Sequence, residues 1–137
     1  MFFDFDAFRQ FFKKLKNYNL QTLIFNKNNL FSIKWESLET IFYGIVLLNL
    51  TLGSCHLGLI IKDISHVFIR NGTIRYLDLS HNQIDDYQFG YFEEYPVNNL
   101  ALEDIDFSNN FISDKSVFSI FKNLAYNSSM KKLKLFW

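Results

Sequence analysis

The chain has 137 residues, with 14 basic and 14 acidic side chains and no net charge. That balance gives no electrostatic case for binding nucleic acid or an anionic membrane surface. A single cysteine excludes an internal disulfide and fits a reducing compartment, and the length suits one domain with a continuous core. The N-terminus, Met1-Phe2-Phe3-Asp4-Phe5-Asp6, is acidic and lacks a clean apolar stretch, so it does not read as a secretory signal. Phe5, Phe8, Phe11, Phe12 and Leu15 then fall on one helical face, and Asn17-Tyr18-Asn19 reads as a turn.

From Leu20 a pattern recurs every 27 or 28 residues. Its copies are Leu20-Leu23-Phe25-Asn28-Leu30, Leu47-Leu50-Leu52-Cys55-Leu57, Ile74-Leu77-Leu79-Asn82-Ile84 and Leu102-Ile105-Phe107-Asn110-Ile112. A fifth begins at Met130, Leu133 and Leu135. The centre of each copy alternates apolar and polar residues, the period of a half-buried strand. The predicted strands are Leu23-Ile24-Phe25, Leu50-Thr51-Leu52, Leu77-Asp78-Leu79, Ile105-Asp106-Phe107 and Leu133-Lys134-Leu135, and helical crossovers between them demand parallel pairing. Helical spacing recurs at Ile60, Ile64, Val67 and Phe68. It returns at Phe89 and Phe92, with Pro96 as the stop, and at Val117, Ile120, Phe121 and Leu124, with Ser113 as N-cap. Asn28, Cys55, Asn82 and Asn110 form one column, whose inward side chains would satisfy backbone groups of the turn leaving each strand. Cys55 in that column reads as a buried structural thiol rather than a reactive one.

Two features are set aside. The run Ile41–Ile61 has no Lys, Arg, Asp or Glu and is long enough to span a bilayer, but Asn49, Thr51, Ser54, His56 and three glycines interrupt it. The second copy lies inside it in register, so no span is expected. The three Asn-x-Ser/Thr sequons, at Asn49, Asn71 and Asn127, are read as chance features of an Asn-rich chain.

The repeated pattern resembles the leucine-rich repeat signature. With its 27-to-28-residue period and helical crossovers it is similar to the ribonuclease inhibitor-like subclass, most closely at residues 76–85 and 104–113 and in the return from Leu124 to Met130. The resemblance implies an α/β fold, a right-handed solenoid or horseshoe segment with a parallel concave sheet and convex helices. Residues 1–19 would be an N-terminal helical half-repeat, and 20–137 the repeats, four complete and a fifth truncated. Copies one and two lack the Asp-rich continuation of the later ones. The absence of a recognisable C-terminal cap suggests a fragment, a short paralogue or a chain completed by a partner.

The resemblance also implies binding through the variable strand positions. The candidate partner-binding residues are Tyr76, Asp78, Ser80, His81, Asp104, Asp106, Ser108 and Asn109. Nine carboxylates and no Lys or Arg lie between Tyr76 and Asp114, with basic residues on both flanks. This block reads equally as an acidic docking patch for a basic segment or as a solvated surface. Asp78 and Asp106 should lie roughly 5 Å apart on adjacent strands. Without a phosphate loop, a His cluster or a nucleophile elbow, neither a metal site nor catalysis is expected, and no cofactor. The expected role is an intracellular, cytoplasmic protein–protein interaction module without enzymatic activity. The alternatives are a regulator such as a small-GTPase activator, for which Arg75 and Asn109 are the concave-side options, and a structural fragment of a larger repeat protein. The fifth strand, with Phe136 and Trp137 beside it, is expected to self-associate through its open edge.

Overall fold

The computed structural model describes residues 4–35, 39, 42, 44–93 and 98–136. Helix α1 spans Phe5–Leu15. The Asp4 carboxylate caps it by accepting from the Ala7 amide at 3.3 Å, while Lys13 and Lys14 complement the partial negative charge of its last turn. Its buried stripe is Phe8, Phe12 and Leu15, whereas Phe11 stays 41% exposed. The stripe packs onto aromatic rings of the first copy. Phe8 lies 5.2 Å from Phe25 and 5.9 Å from Trp35, and Phe12 lies 5.0 Å from Phe42, centroid to centroid. Helix α1 thereby covers the N-terminal end of the sheet, where Leu23 and Phe25 are buried.

The five strands are β1 (Thr22–Ile24), β2 (Asn49–Thr51), β3 (Tyr76–Asp78), β4 (Asp104–Asp106) and β5 (Lys132–Lys134). They form one all-parallel sheet in chain order, with Thr22, Asn49, Tyr76, Asp104 and Lys132 in register. Each strand begins one residue before its apolar-x-apolar triplet, and the ladder continues beyond it. Phe25, Leu52, Leu79 and Phe107 donate their amides to Thr51, Asp78, Asp106 and Lys134 of the next copy. Two residues later the chain turns at Lys27, Ser54, His81 and Asn109, each with φ between 56° and 62°. A left-handed conformation at the same place in four copies marks a common turn rather than local strain.

Between β2 and β3, a 3-10 turn at Gly58–Ile60 leads into α2 (Ile61–Ile69), which buries Ile61, Ile64, Val67 and Phe68. No helix among the described residues is long and apolar enough to cross a membrane, and the apolar run instead contains β2. The third copy departs from the expected helix. Its α3 (Asp86–Phe89) is a single turn, fixed by an Asp85–Gln88 capping box, followed by a 3-10 turn at Gly90–Phe92. Phe89 and Phe92 are still buried, each with its centroid about 5 Å from Phe107, an edge contact. Pro96, read as the stop, lies outside the described residues.

Helix α4 (Asp114–Leu124) buries Ile120 and half-buries Val117 and Leu124, but Phe121 is 54% exposed. Its side of α4 has no later copy against it among the described residues. Ser113 stands at the N-cap position without capping. Its hydroxyl and amide instead donate to the two carboxylate oxygens of Asp86, both at 2.7 Å. Those hydrogen bonds, backbone first, hold the Asp86 carboxyl below its ordinary range.

Asparagine side chains flank β3 and β4 on both sides and tie them to neighbouring copies. Asn82 is fully buried, accepts from the amides of Cys55 and Leu57, and donates to the carbonyls of Leu52 and Ser80. Asn110 repeats this one copy on. It accepts from Asn82 and Ile84 and donates to Leu79 and Phe107. Asn28, at the first position of the column, donates to the Phe25 carbonyl. A second ladder runs through Asn71, Asn99 and Asn127 at the return to each strand. Asn71 accepts from Thr73 and Ile74, Asn99 from Ala101 and Leu102, and Asn127 from Ser129 and Met130. Asn99 also donates to the Asn71 carbonyl, and Asn127 to that of Asn99. Two sequon asparagines treated as chance features are therefore structural.

Candidate interaction face of the sheet

The alternation of β3 and β4 sets the face. Leu77 and Ile105 are buried inward, so the half-buried Tyr76, Asp78, Asp104 and Asp106 share the outer side. Register places Tyr76 beside Asp104 and Asp78 beside Asp106. Thr22 and Ile24 continue the face on β1, Asn49 and Thr51 on β2, and Lys132 and Lys134 on β5. One oxygen of Asp78 accepts from the Ser80 amide at 2.8 Å, and one of Asp106 from the Ser108 amide at 2.9 Å. Asp104 Oδ1 is buried and has no hydrogen-bond partner among the described residues. Gly53 keeps the region below Asp78 open, since a Cβ there would lie 3.0 Å from Ser80 Oγ and 3.3 Å from Asp78 Oδ2.

The other four candidate residues do not join this group. Ser80 is half-buried and Ser108 buried, each giving its amide to the preceding Asp. His81 and Asn109 are exposed but sit in the left-handed turn beyond the strand ends. Nor is the acidic block an unbroken acidic surface. Folding brings basic residues from outside it onto three of its carboxylate oxygens. Lys131 Nζ lies 2.6 Å and an Arg75 guanidinium nitrogen 3.4 Å from the Glu103 carboxylate, and Lys134 Nζ lies 3.2 Å from Asp106 Oδ2. Arg75 also donates to the Ala101 carbonyl. No group of three or more His, Cys, Asp or Glu residues among those described could hold a metal ion.

The Asp106–Lys134 pair is the most sheltered ion pair on this face, and Lys134 also lies 5.3 Å from the Tyr76 ring centroid. Burial pushes the Asp106 carboxyl up, but Ser108 and Lys134 outweigh it and hold the group below its ordinary value. Burial lowers Lys134, and Asp106 more than reverses that. Tyr76 is raised, first by burial and then by Asp78. The signs give a window. The depressed Asp106 contributes stability that is lost as pH falls through its folded value, and the raised Lys134 contributes stability that is lost as pH rises through its own. We expect carboxyl NMR to find Asp106 titrating below a free aspartate, and Lys134→Gln to move it upward. An unchanged value in that variant would remove Lys134 as a cause.

Cys55 is fully buried and its Sγ lies 3.1 Å from the Phe25 carbonyl oxygen. Burial pushes the thiol up, against smaller opposing backbone hydrogen bonds. A thiol reagent at neutral pH should label it only on unfolding, at a rate that rises with denaturant. Complete labelling of the folded protein within the time taken by a free cysteine would refute the buried role.

The Leucine Rich Repeat family model matches residues 73–94, which contain β3 and the Asn82 turn. A comparison with curated proteins finds no match. Two solved structures share the fold. Leiomodin-1 Actin-Binding Site 2 is 17% identical with a TM-score of 0.58, covering 92% of this chain and 60% of that one. The tropomodulin C-terminal domain of Caenorhabditis elegans is 11% identical with a TM-score of 0.56, covering 93% of this chain and 62% of that one. At these identities the likeness is one of fold, and this chain spans about three fifths of either structure. The chain therefore contains a leucine-rich repeat, set in an α/β fold with a parallel sheet.

Proposed function

We propose that this protein is an intracellular, cytoplasmic protein-interaction module of the ribonuclease inhibitor-like type that binds a basic segment of a partner on the outer face of its sheet. In this reading the chain is a horseshoe segment, with residues 1–19 as a helical half-repeat and 20–137 as the repeats. The observation that carries it is the juxtaposition of Tyr76, Asp78, Asp104 and Asp106 on one face of β3 and β4. Asp106 is already matched by Lys134, so Asp78 and Asp104 offer the charge to an incoming cation. Electrostatic complementarity of this kind speeds encounter and fixes register more than it adds affinity. Actin is the first partner to test, because a leiomodin-1 domain with this fold is an actin-binding site.

The test compares retention of purified actin, and of proteins from a cell lysate, on the wild type and on an Asp78→Lys/Asp104→Lys variant. A partner held by the wild type, released by salt and lost by the variant supports the reading. Equal retention by both proteins overturns it.

A further inference from the structure

Asn26, Gly53, Ser80 and Ser108 hold the same place in four successive copies, directly after Phe25, Leu52, Leu79 and Phe107. Three of them carry a polar side chain. Gly53 has none, and its φ is not positive, so backbone conformation does not demand a glycine there. What the glycine provides is space. A Cβ on it would lie 3.0 Å from Ser80 Oγ, 3.3 Å from Asp78 Oδ2 and 3.4 Å from Asn26 Oδ1. Side-chain oxygens of the first and third copies therefore close around a notch whose floor is the bare main chain of the second. A glycine so placed lets a ligand approach the backbone closely.

The fold leaves these oxygens free to accept. Asp78 Oδ1 takes the Ser80 amide, but neither Asp78 Oδ2 nor Ser80 Oγ has a hydrogen bond among the described residues. Asn26 Oδ1 accepts from the Gly53 amide at 2.8 Å and keeps a second lone pair. Thr51 stands beside Asp78 in register, and its buried Oγ1 has no partner among the described residues either. The neighbouring copy shows what is missing. Asp106 holds the place of Asp78 there, and Lys134 brings an ammonium to within 3.2 Å of it. The residue that stands to Asp78 as Lys134 stands to Asp106 is Asp106 itself, a carboxylate. No ion pair reaches Asp78 among the described residues.

We propose that the notch over Gly53 takes the ammonium of a lysine side chain of the partner. This rests on the reading of the face as a site for a basic segment, and names the residue that the site selects. An ammonium presents three donors from one nitrogen, matching the acceptors of Asp78, Ser80 and Asn26 around one space. An arginine fork pairs best with both oxygens of a carboxylate, and Asp78 has only Oδ2 to give. The lysine stem crosses Ile24, which is 66% exposed in the same row as Thr51 and Asp78.

Hexalysine and hexaarginine peptides, equal in charge, are the probes, each titrated into the whole protein and followed by amide NMR. Hexalysine should shift the Gly53 and Ser80 amides. Gly53→Ala fills the notch and should weaken hexalysine by about tenfold, with hexaarginine changed by less than about twofold. Retained hexaarginine binding shows that the face of that variant is intact. Ser80→Ala adds no bulk and removes an oxygen that has no partner in the fold, so it should weaken hexalysine by about threefold. Asp104→Lys, on the same face but outside the notch, should weaken both peptides alike. Suppose Asp104→Lys weakens both peptides, while Gly53→Ala and Ser80→Ala spare hexalysine or weaken both equally. The lysine notch is then overturned and the basic-segment reading stands. If neither peptide binds, or Asp104→Lys changes neither, both are overturned.

Discussion

Phe12→Ala is expected to be the most damaging single substitution in the chain, at about 3–5 kcal/mol. The ring is fully buried. It touches Phe8 at 4.8 Å, Phe42 at 5.0 Å and Phe25 at 5.9 Å, centroid to centroid. Truncation removes its apolar transfer energy and leaves a cavity between rings too stiff to collapse into it. Helix α1 is a short helix whose stability comes from packing rather than propensity. Losing its central anchor should also loosen the cover over Leu23 and Phe25. Against a typical stability of about 5–15 kcal/mol, this is a large share. Phe11→Ala, one residue away and partly exposed, provides the control. A fall in denaturant midpoint no greater for Phe12→Ala than for Phe11→Ala would contradict this packing account.

Asn82→Ala should cost about 3 kcal/mol, from two buried amides left unpaired at about 1–3 kcal/mol each and partly relieved by relaxation. The amides of Cys55 and Leu57 each lose the Asn82 oxygen. The carbonyls suffer less, since the Ser80 oxygen keeps the amide of Ser54. Asn110→Ala should behave alike, because it serves Asn82 and Ile84 in the same way. Asn28→Ala should cost under about 1 kcal/mol, since that half-buried side chain donates locally to Phe25. Equal midpoints for Asn28→Ala and Asn82→Ala would show that the buried amides do not decide the cost.

Most of the sheet was legible because a 27-to-28-residue period fixes strand spacing, parallel pairing and register together. The column Asn28, Cys55, Asn82 and Asn110 falls out of the same period. What escaped involved partners far apart in sequence. Ser113 has the residue type of an N-cap, but its hydroxyl goes to Asp86, 27 residues away. The acidic block reads as unbroken because Arg75 lies just before it, and Lys131 and Lys134 lie a strand further on and reach back across to it. Phe121 has helical spacing, yet spacing does not say whether a neighbour exists to cover it. Asn71, Asn99 and Asn127 stand 28 apart, a signal equal to that of the first column, but two of them carry the sequon pattern, which draws attention away from the ladder.

The two asparagine ladders also divide the third and fourth copies into a fixed part and an adjustable one. From Asn71 to Asn82 and from Asn99 to Asn110 the separation is 11 residues in both cases. From the first ladder to the second it is 16 residues after Cys55 but 17 after Asn82 and Asn110. The extra residue in the later copies therefore falls wholly on the helical side. The strand segment is pinned at both ends by side chains that bond to the adjacent copy, so a residue gained or lost there would put one ladder out of step and flip the strand's side chains. The crossover is tied to the next copy at Asp86 and Glu93, which accept from Ser113 and Asn123, but not by the ladders. Insertions, grafted loops and epitope tags should be better accepted between Asn82 and Asn99, at positions clear of the buried Ile84, Phe89 and Phe92, than between Asn71 and Asn82.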